Sequence, residues 1–246
     1  MWDLGIIAHS YNPYQSVKAL AGMASKNFKN YIQHLLDARF LILLILILSL
    51  LVLTPFLDEF VQTRILMDVF LTAIFIFIIY SIRLRRSQAI IASLLVLPLI
   101  IATWSTHFVE IRTLSLLTKI FGALFFSYAA INILRIIAKS DEITSETIFA
   151  AVVAYLLIAL MWAFLYMILE LTSPGSFSLP ETGFRGETMR FEYLSFVTIT
   201  TLGYGDITPV TDKASALVII EAVVGQIYLV VLVAWLVGMH VSQRSK

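Results

Sequence analysis

The string TTLGYGD, residues 200–206, sets two threonines, two glycines and an aspartate between apolar stretches of a 246-residue chain that is 60% hydrophobic and only 13% charged. A chain so apolar would expose far too much oily surface as a water-soluble domain, so its solvent is lipid. In hydrocarbon each backbone N–H and C=O must be satisfied internally. Irregular backbone at membrane depth persists only where protein or a water-filled cavity surrounds it. The break therefore marks a protected place, and its glycines, Gly203 and Gly205, permit backbone conformations in which successive carbonyls all point one way, something a Cβ would hinder.

Outward from that string, six apolar spans lie near residues 40–57, 65–82, 88–105, 113–138, 147–171 and 214–240. Each approaches the roughly 20 residues that a hydrocarbon core of about 30 Å asks of a helix. The first is followed by TPFLDEF (54–60) rather than a small-residue cleavage site, so it reads as a retained helix and not a signal peptide. Between the last two spans, FEYLSFVTI (191–199) suffices only for a half-depth helix that enters, stops before TTLGYGD and turns back.

Basic residues sort by side if both termini are cytoplasmic. Eleven of them (Lys18, Lys26, Lys29, Arg39, Arg83, Arg85, Arg86, Arg135, Lys139, Arg244 and Lys246) then lie inside and five (Arg64, Arg112, Arg185, Arg190 and Lys213) outside. That orientation puts TTLGYGD on the outer side. Before the first span, Val17, Leu20, Ala21, Ala24, Phe28, Tyr31 and Leu35 recur at helical spacing. They predict an amphipathic helix, either on the inner membrane surface or packed on the bundle. The expected organisation is a cytoplasmic N-terminal segment (1–38), a four-helix transmembrane domain (39–140) and a C-terminal domain (141–246).

With its flanking residues, TITTLGYGD (198–206) resembles the potassium-channel signature, and the resemblance extends over about residues 146–242. It implies an all-α membrane protein of six transmembrane helices, with a re-entrant pore helix and selectivity filter between helices five and six. It also implies a passive K⁺-selective channel in a bacterial inner membrane. In such filters backbone carbonyls replace the ion's hydration shell. By resemblance these are the carbonyls of Thr201, Leu202, Gly203 and Tyr204, joined by the Thr201 hydroxyl. Thr200 would support the filter, and Gly205 and Asp206 would close its mouth. Tyr193 falls where the family places an aromatic whose polar edge bonds that aspartate; by position alone it is equally an interfacial aromatic. Leu202 departs from the usual Val or Ile. A cation channel of relaxed selectivity therefore stands beside the K⁺-selective reading, as does, from a different class, a non-conducting regulatory or sensor subunit. One GYGD cannot enclose an ion, so four copies around an axis, a homotetramer, are expected.

In the last span, Glu221 must face protein or water, because an ionised carboxylate at mid-bilayer costs roughly 2.5–3.5 kcal/mol on insertion scales. It reads equally as a carboxylate supporting the pore or facing its cavity, and as a protonated or hydrogen-bonded core residue. Gly225 matches the hinge glycine of potassium-channel inner helices, or simply permits close packing. Gln226 would then face the cavity. Leu229, Val233 and Val237, four residues apart, are gate candidates.

The six-span layout resembles that of voltage-gated channels, yet the fourth span offers only Arg112, Lys119 and Arg135, so weak or no voltage dependence is expected. Asp68 is a possible partner for Lys119 but reads better as interfacial. His107 and His240 sit near membrane boundaries, and Pro98 is expected to kink span three. The few residues after span six predict no regulatory domain there. Gating is then expected from the membrane domain, lipid, the N-terminal segment or another subunit. A net charge of +1 gives no field for nucleic acid, the chain has no cysteine, and no HExxH, phosphate-binding loop or GxSxG string occurs. The chain is thus expected not to be an enzyme and to need no cofactor, with K⁺ as the transported ion and lipid as its surroundings.

Overall fold

A computed structural model describes residues 38–57, 61–82, 86–105, 112–140, 142–179 and 187–244. The amphipathic stretch before residue 38 and His107 lie outside the described residues, as do the side chains of Asp68, Val237 and His240. The helices are α1 (Arg39–Leu57), α2 (Val61–Ser81), α3 (Arg86–Ser105), α4 (Arg112–Ala138), α5 (Ser145–Thr172), α6 (Glu187–Ile199) and α7 (Asp212–Arg244). Two short strands, β1 (Phe177–Ser178) and β2 (Thr208–Pro209), flank α6 and the string that follows it. All six apolar stretches are helical, with ends within four residues of those read from the sequence. The half-depth helix begins four residues earlier, at Glu187.

Three of these helices are long and apolar enough to cross a membrane: Thr113–Ala138, Ser145–Thr172 and Asp212–Trp235. α1, α2 and α3 contain shorter apolar stretches, Arg39–Leu53, Val69–Ser81 and Ile90–Ile101. The long three differ in how much protein covers them. Half of the apolar window in each of the first two is buried, against 11% in the third. α7 thus exposes Ile219, Ile220, Val223, Ile227, Val230, Val231 and Val233.

α5 is the centre of the arrangement within the compact unit Phe40–Lys246. Thr144 caps its N-terminus, accepting from the Thr147 N–H while the Thr147 hydroxyl returns to the Thr144 N–H, which satisfies donors that the first turn leaves open. In the same turn, Glu146 accepts from the Phe40 N–H at the start of α1 (3.2 Å). Val153, Leu157 and Leu160 of α5 join Phe125, Phe126 and Ile133 of α4 in one buried apolar cluster. Gly122 brings α4 close to α5: a Cβ there would lie 2.3 Å from the Phe164 ring. A second cluster joins Tyr166 and Met167 to Phe177, Phe191, Leu194 and Ala214. Through it run the edge-to-face ring contacts Tyr166–Phe177 and Phe177–Phe191, each with centroids 5.3 Å apart.

Candidate functional site

The C-terminus of α6 decides the local geometry of TTLGYGD. The Leu202 N–H donates to the Val197 carbonyl (3.0 Å) and the Thr201 N–H to that of Thr198 (2.9 Å). This is the paired pattern that ends a helix through one left-handed residue. That residue is Thr201, at φ +60°. Glycine ordinarily fills the position, since an L side chain in left-handed backbone costs about 1 kcal/mol or more. The Gly203 N–H also turns back to Val197 (3.2 Å).

Three successive N–H groups are thereby directed into the helix end, while among the described residues nothing donates to the carbonyls of Thr201, Leu202, Gly203 or Tyr204. Left-handed φ recurs at every second residue, Thr201 (+60°), Gly203 (+58°) and Gly205 (+78°), with Leu202 and Tyr204 outside that region. Alternating backbone handedness keeps like groups of successive peptides on one side, as in anion-binding nests of N–H groups. Thr201 to Asp206 are all exposed within the single chain. The site is a run of unpartnered carbonyl dipoles at a helix C-terminus, where the partial negative charge favours a cation.

The elements around this run anchor it at both ends. At the helix end, the Tyr155 hydroxyl on α5 donates to the Ile199 carbonyl (2.7 Å). Gly225 of α7 packs on the same peptide, and a Cβ there would lie 2.7 Å from both the Ile199 carbonyl oxygen and its Cγ1. α7 runs unbroken through Gly225, where it packs closely on Ile199. The Tyr228 hydroxyl donates to the Ala151 carbonyl (2.6 Å), and its ring lies 5.4 Å from that of Tyr155. At the far end, the Tyr193 hydroxyl donates to Asp206 Oδ2 (2.7 Å) while the Tyr193 ring stacks on Tyr204 at an interplanar angle of 8°. Asp206 Oδ1 accepts from the Ile207 N–H (3.1 Å). β1 and β2 then pair antiparallel, Phe177 with Pro209 and Ser178 with Thr208, fixing the chain that leaves the site to the chain that leaves α5.

Of the remaining sequence-derived residues, Thr200 turns its hydroxyl back to the Phe196 carbonyl (2.6 Å). Gln226, Leu229 and Val233 lie exposed on α7, and Val237 belongs to the same helix. Glu221 is fully buried between Tyr166 of α5 and Ser195 of α6. Pro98 is accommodated inside α3, and Lys119 of α4 donates to the Ser115 hydroxyl one turn away (2.9 Å).

Comparison with known proteins bears on the C-terminal part. Residues 142–241 match the family model described as an ion channel. No curated protein and no solved structure matches the chain. The matched ion-channel region, less than half of the chain, contains α5, the half-length helix, the exposed carbonyl run and α7. With its long apolar helices, the match supports ion transport by a membrane protein.

Sequence reading alone overlooked Tyr155, Tyr166, Ser195 and Tyr228, which look like ordinary members of apolar spans. One signal was available. Tyr155 and Tyr166 are eleven residues apart, three helical turns, so with Ala159 and Ala163 they form one face of α5 that is narrow between two hydroxyl-bearing ends.

Proposed function

We propose that this protein is a passive K⁺-selective channel. The carbonyls of Thr201, Leu202, Gly203 and Tyr204 and the Thr201 hydroxyl, from four identical subunits, take the place of K⁺ hydration water. The observation that carries the reading is the unpartnered carbonyl run with left-handed φ at Thr201, Gly203 and Gly205. A single run offers one wall of a coordination cage; a hydrated cation gives up its water only to ligands on all sides. The sparse coverage of α7 and the exposure of the carbonyl run in the isolated chain support assembly around an axis. In the assembly six helices would span the membrane, with α6 re-entrant and both termini on the cytoplasmic side of a bacterial inner membrane.

Purified protein in planar bilayers under opposed K⁺ and Na⁺ gradients tests the reading. The reversal potential is expected to follow the K⁺ gradient. A potential that follows total monovalent cation points instead to relaxed selectivity centred on Leu202, a residue 54% exposed in the single chain. Electrical silence over a range of voltage, pH and lipid composition would favour the non-conducting subunit.

A further inference from the structure

Glu221 is a fully buried carboxyl group on a helix long and apolar enough to cross the membrane, and among the described residues no basic side chain pairs with it. Its neighbours are oxygens. The Tyr166 hydroxyl donates to Oε2. On the other side, Ser195 Oγ lies 2.5 Å from Glu221 Oε1 and 2.6 Å from the carbonyl oxygen of Ala159. Three oxygen–oxygen contacts at hydrogen-bond distance require three protons. Each hydroxyl brings one, and a carbonyl brings none. An ionised Glu221 would leave two protons for three contacts. Ser195 would then turn a lone pair on either the Ala159 carbonyl or the carboxylate, at a distance that only a shared proton makes favourable, between groups buried from solvent. A protonated Glu221 closes the set: its Oε1–H donates to Ser195, Ser195 donates to Ala159, and Tyr166 donates to Oε2.

We propose that Glu221 is held as the neutral carboxylic acid, and that its own proton, donated to Ser195, fastens α7 to α6 directly behind the carbonyl run. The position makes the fastening consequential. Ser195 is one turn before Ile199, and Glu221 one turn before Gly225, so Glu221–Ser195 and Gly225–Ile199 are successive rungs between the same two helices. Ile199 in turn precedes the left-handed turn at Thr201. Glu221 is thus a positioning residue that acts on the carbonyls through α6. A neutral group also leaves the ion's field to the carbonyl dipoles and adds no fixed charge behind them.

The consequence for permeation rests on the channel reading above; the protonation state does not. Infrared difference spectra of the full-length reconstituted protein, wild type minus Glu221→Gln, are expected to show a protonated-carboxyl C=O band that the variant lacks, and Ser195→Ala is expected to move it. Gln can donate an N–H to Ser195 and accept from Tyr166, so Glu221→Gln is expected to keep K⁺ flux and the K⁺/Na⁺ permeability ratio within about twofold. Glu221→Leu, similar in volume but unable to bond, is expected to lower one or both by about tenfold or more, as leaving the Tyr166 hydroxyl proton without an acceptor and loosening α6 would require. A carboxylate band in place of the acid band overturns the proposal, as does a Gln variant that fails as badly as the Leu variant. An acid band in a protein that carries no K⁺ flux would instead overturn the channel reading and leave Glu221 neutral.

Discussion

α5 carries two faces that hold the molecule together by different means. Toward α4 it presents the apolar side chains Val153, Leu157, Leu160 and Phe164 to Phe125, Phe126 and Gly122. Toward α6 and α7 it presents Tyr155, Tyr166 and the backbone carbonyls of Ala151 and Ala159, and each ends in a hydrogen bond. Dispersion contacts are numerous, individually small and undirected, so an apolar face tolerates slippage as long as it stays filled. Hydrogen bonds fix distance and angle, and a buried one that is broken leaves an unsatisfied group behind. The molecule uses the tolerant kind where helices only need to adhere, and the directional kind behind the carbonyls whose spacing an ion would sense.

Three glycines give a graded way to break that contrast. The largest effect is expected from Gly203→Ala. No atom crowds a Cβ there in the single chain, yet φ is +58°, so the cost is conformational and falls on a carbonyl that the proposed function turns toward the ion. With about 1–2 kcal/mol of strain in each subunit, K⁺ flux in proteoliposomes is expected to vanish while the helical circular dichroism persists. Unaltered flux would place permeation elsewhere. Next comes Gly225→Ala, whose Cβ meets a backbone carbonyl already held by Tyr155 and unable to retreat freely. A destabilisation of about 1–3 kcal/mol, together with an altered K⁺/Na⁺ ratio, is expected from thermal unfolding and reversal potentials. The smallest functional effect is expected from Gly122→Ala on the apolar face. The crowding atoms belong to the Phe164 ring, which can turn aside, so a loss of about 1 kcal/mol in stability with an unchanged permeability ratio is expected. A changed ratio in that variant would mean that the tolerant face also sets the geometry of the carbonyls.

Much of this arrangement was legible in the residues. Apolar runs near span length stand out locally, so all six appeared as helices with small end errors. The half-length stretch before TTLGYGD was visible as too short to cross, though its start at Glu187 was missed because ETMR continues the helix in polar residues. The two glycines announced a backbone that a Cβ would hinder, and both take left-handed φ. Thr201 did not, because a β-branched residue is a poor candidate for φ +60°; the end of α6 imposes that angle through the bonds to Val197 and Thr198. Glu221 was conspicuous as a charge in a greasy span, yet its sequence neighbours named no partner.

What the sequence by itself determined is the lipid solvent, the helical stretches and the chemically distinctive string at residues 200–206, because hydropathy, helical period and glycine content are local properties of the chain. Only the tertiary structure decided that Tyr155 holds Ile199, that Gly225 packs on the same peptide, and that Tyr166 and Ser195 enclose Glu221. Those partners are 26 to 55 residues apart in sequence. They meet because α5, α6 and α7 pack side by side, and a hydroxyl in an apolar span gains a specific role only when a neighbouring helix brings it an acceptor.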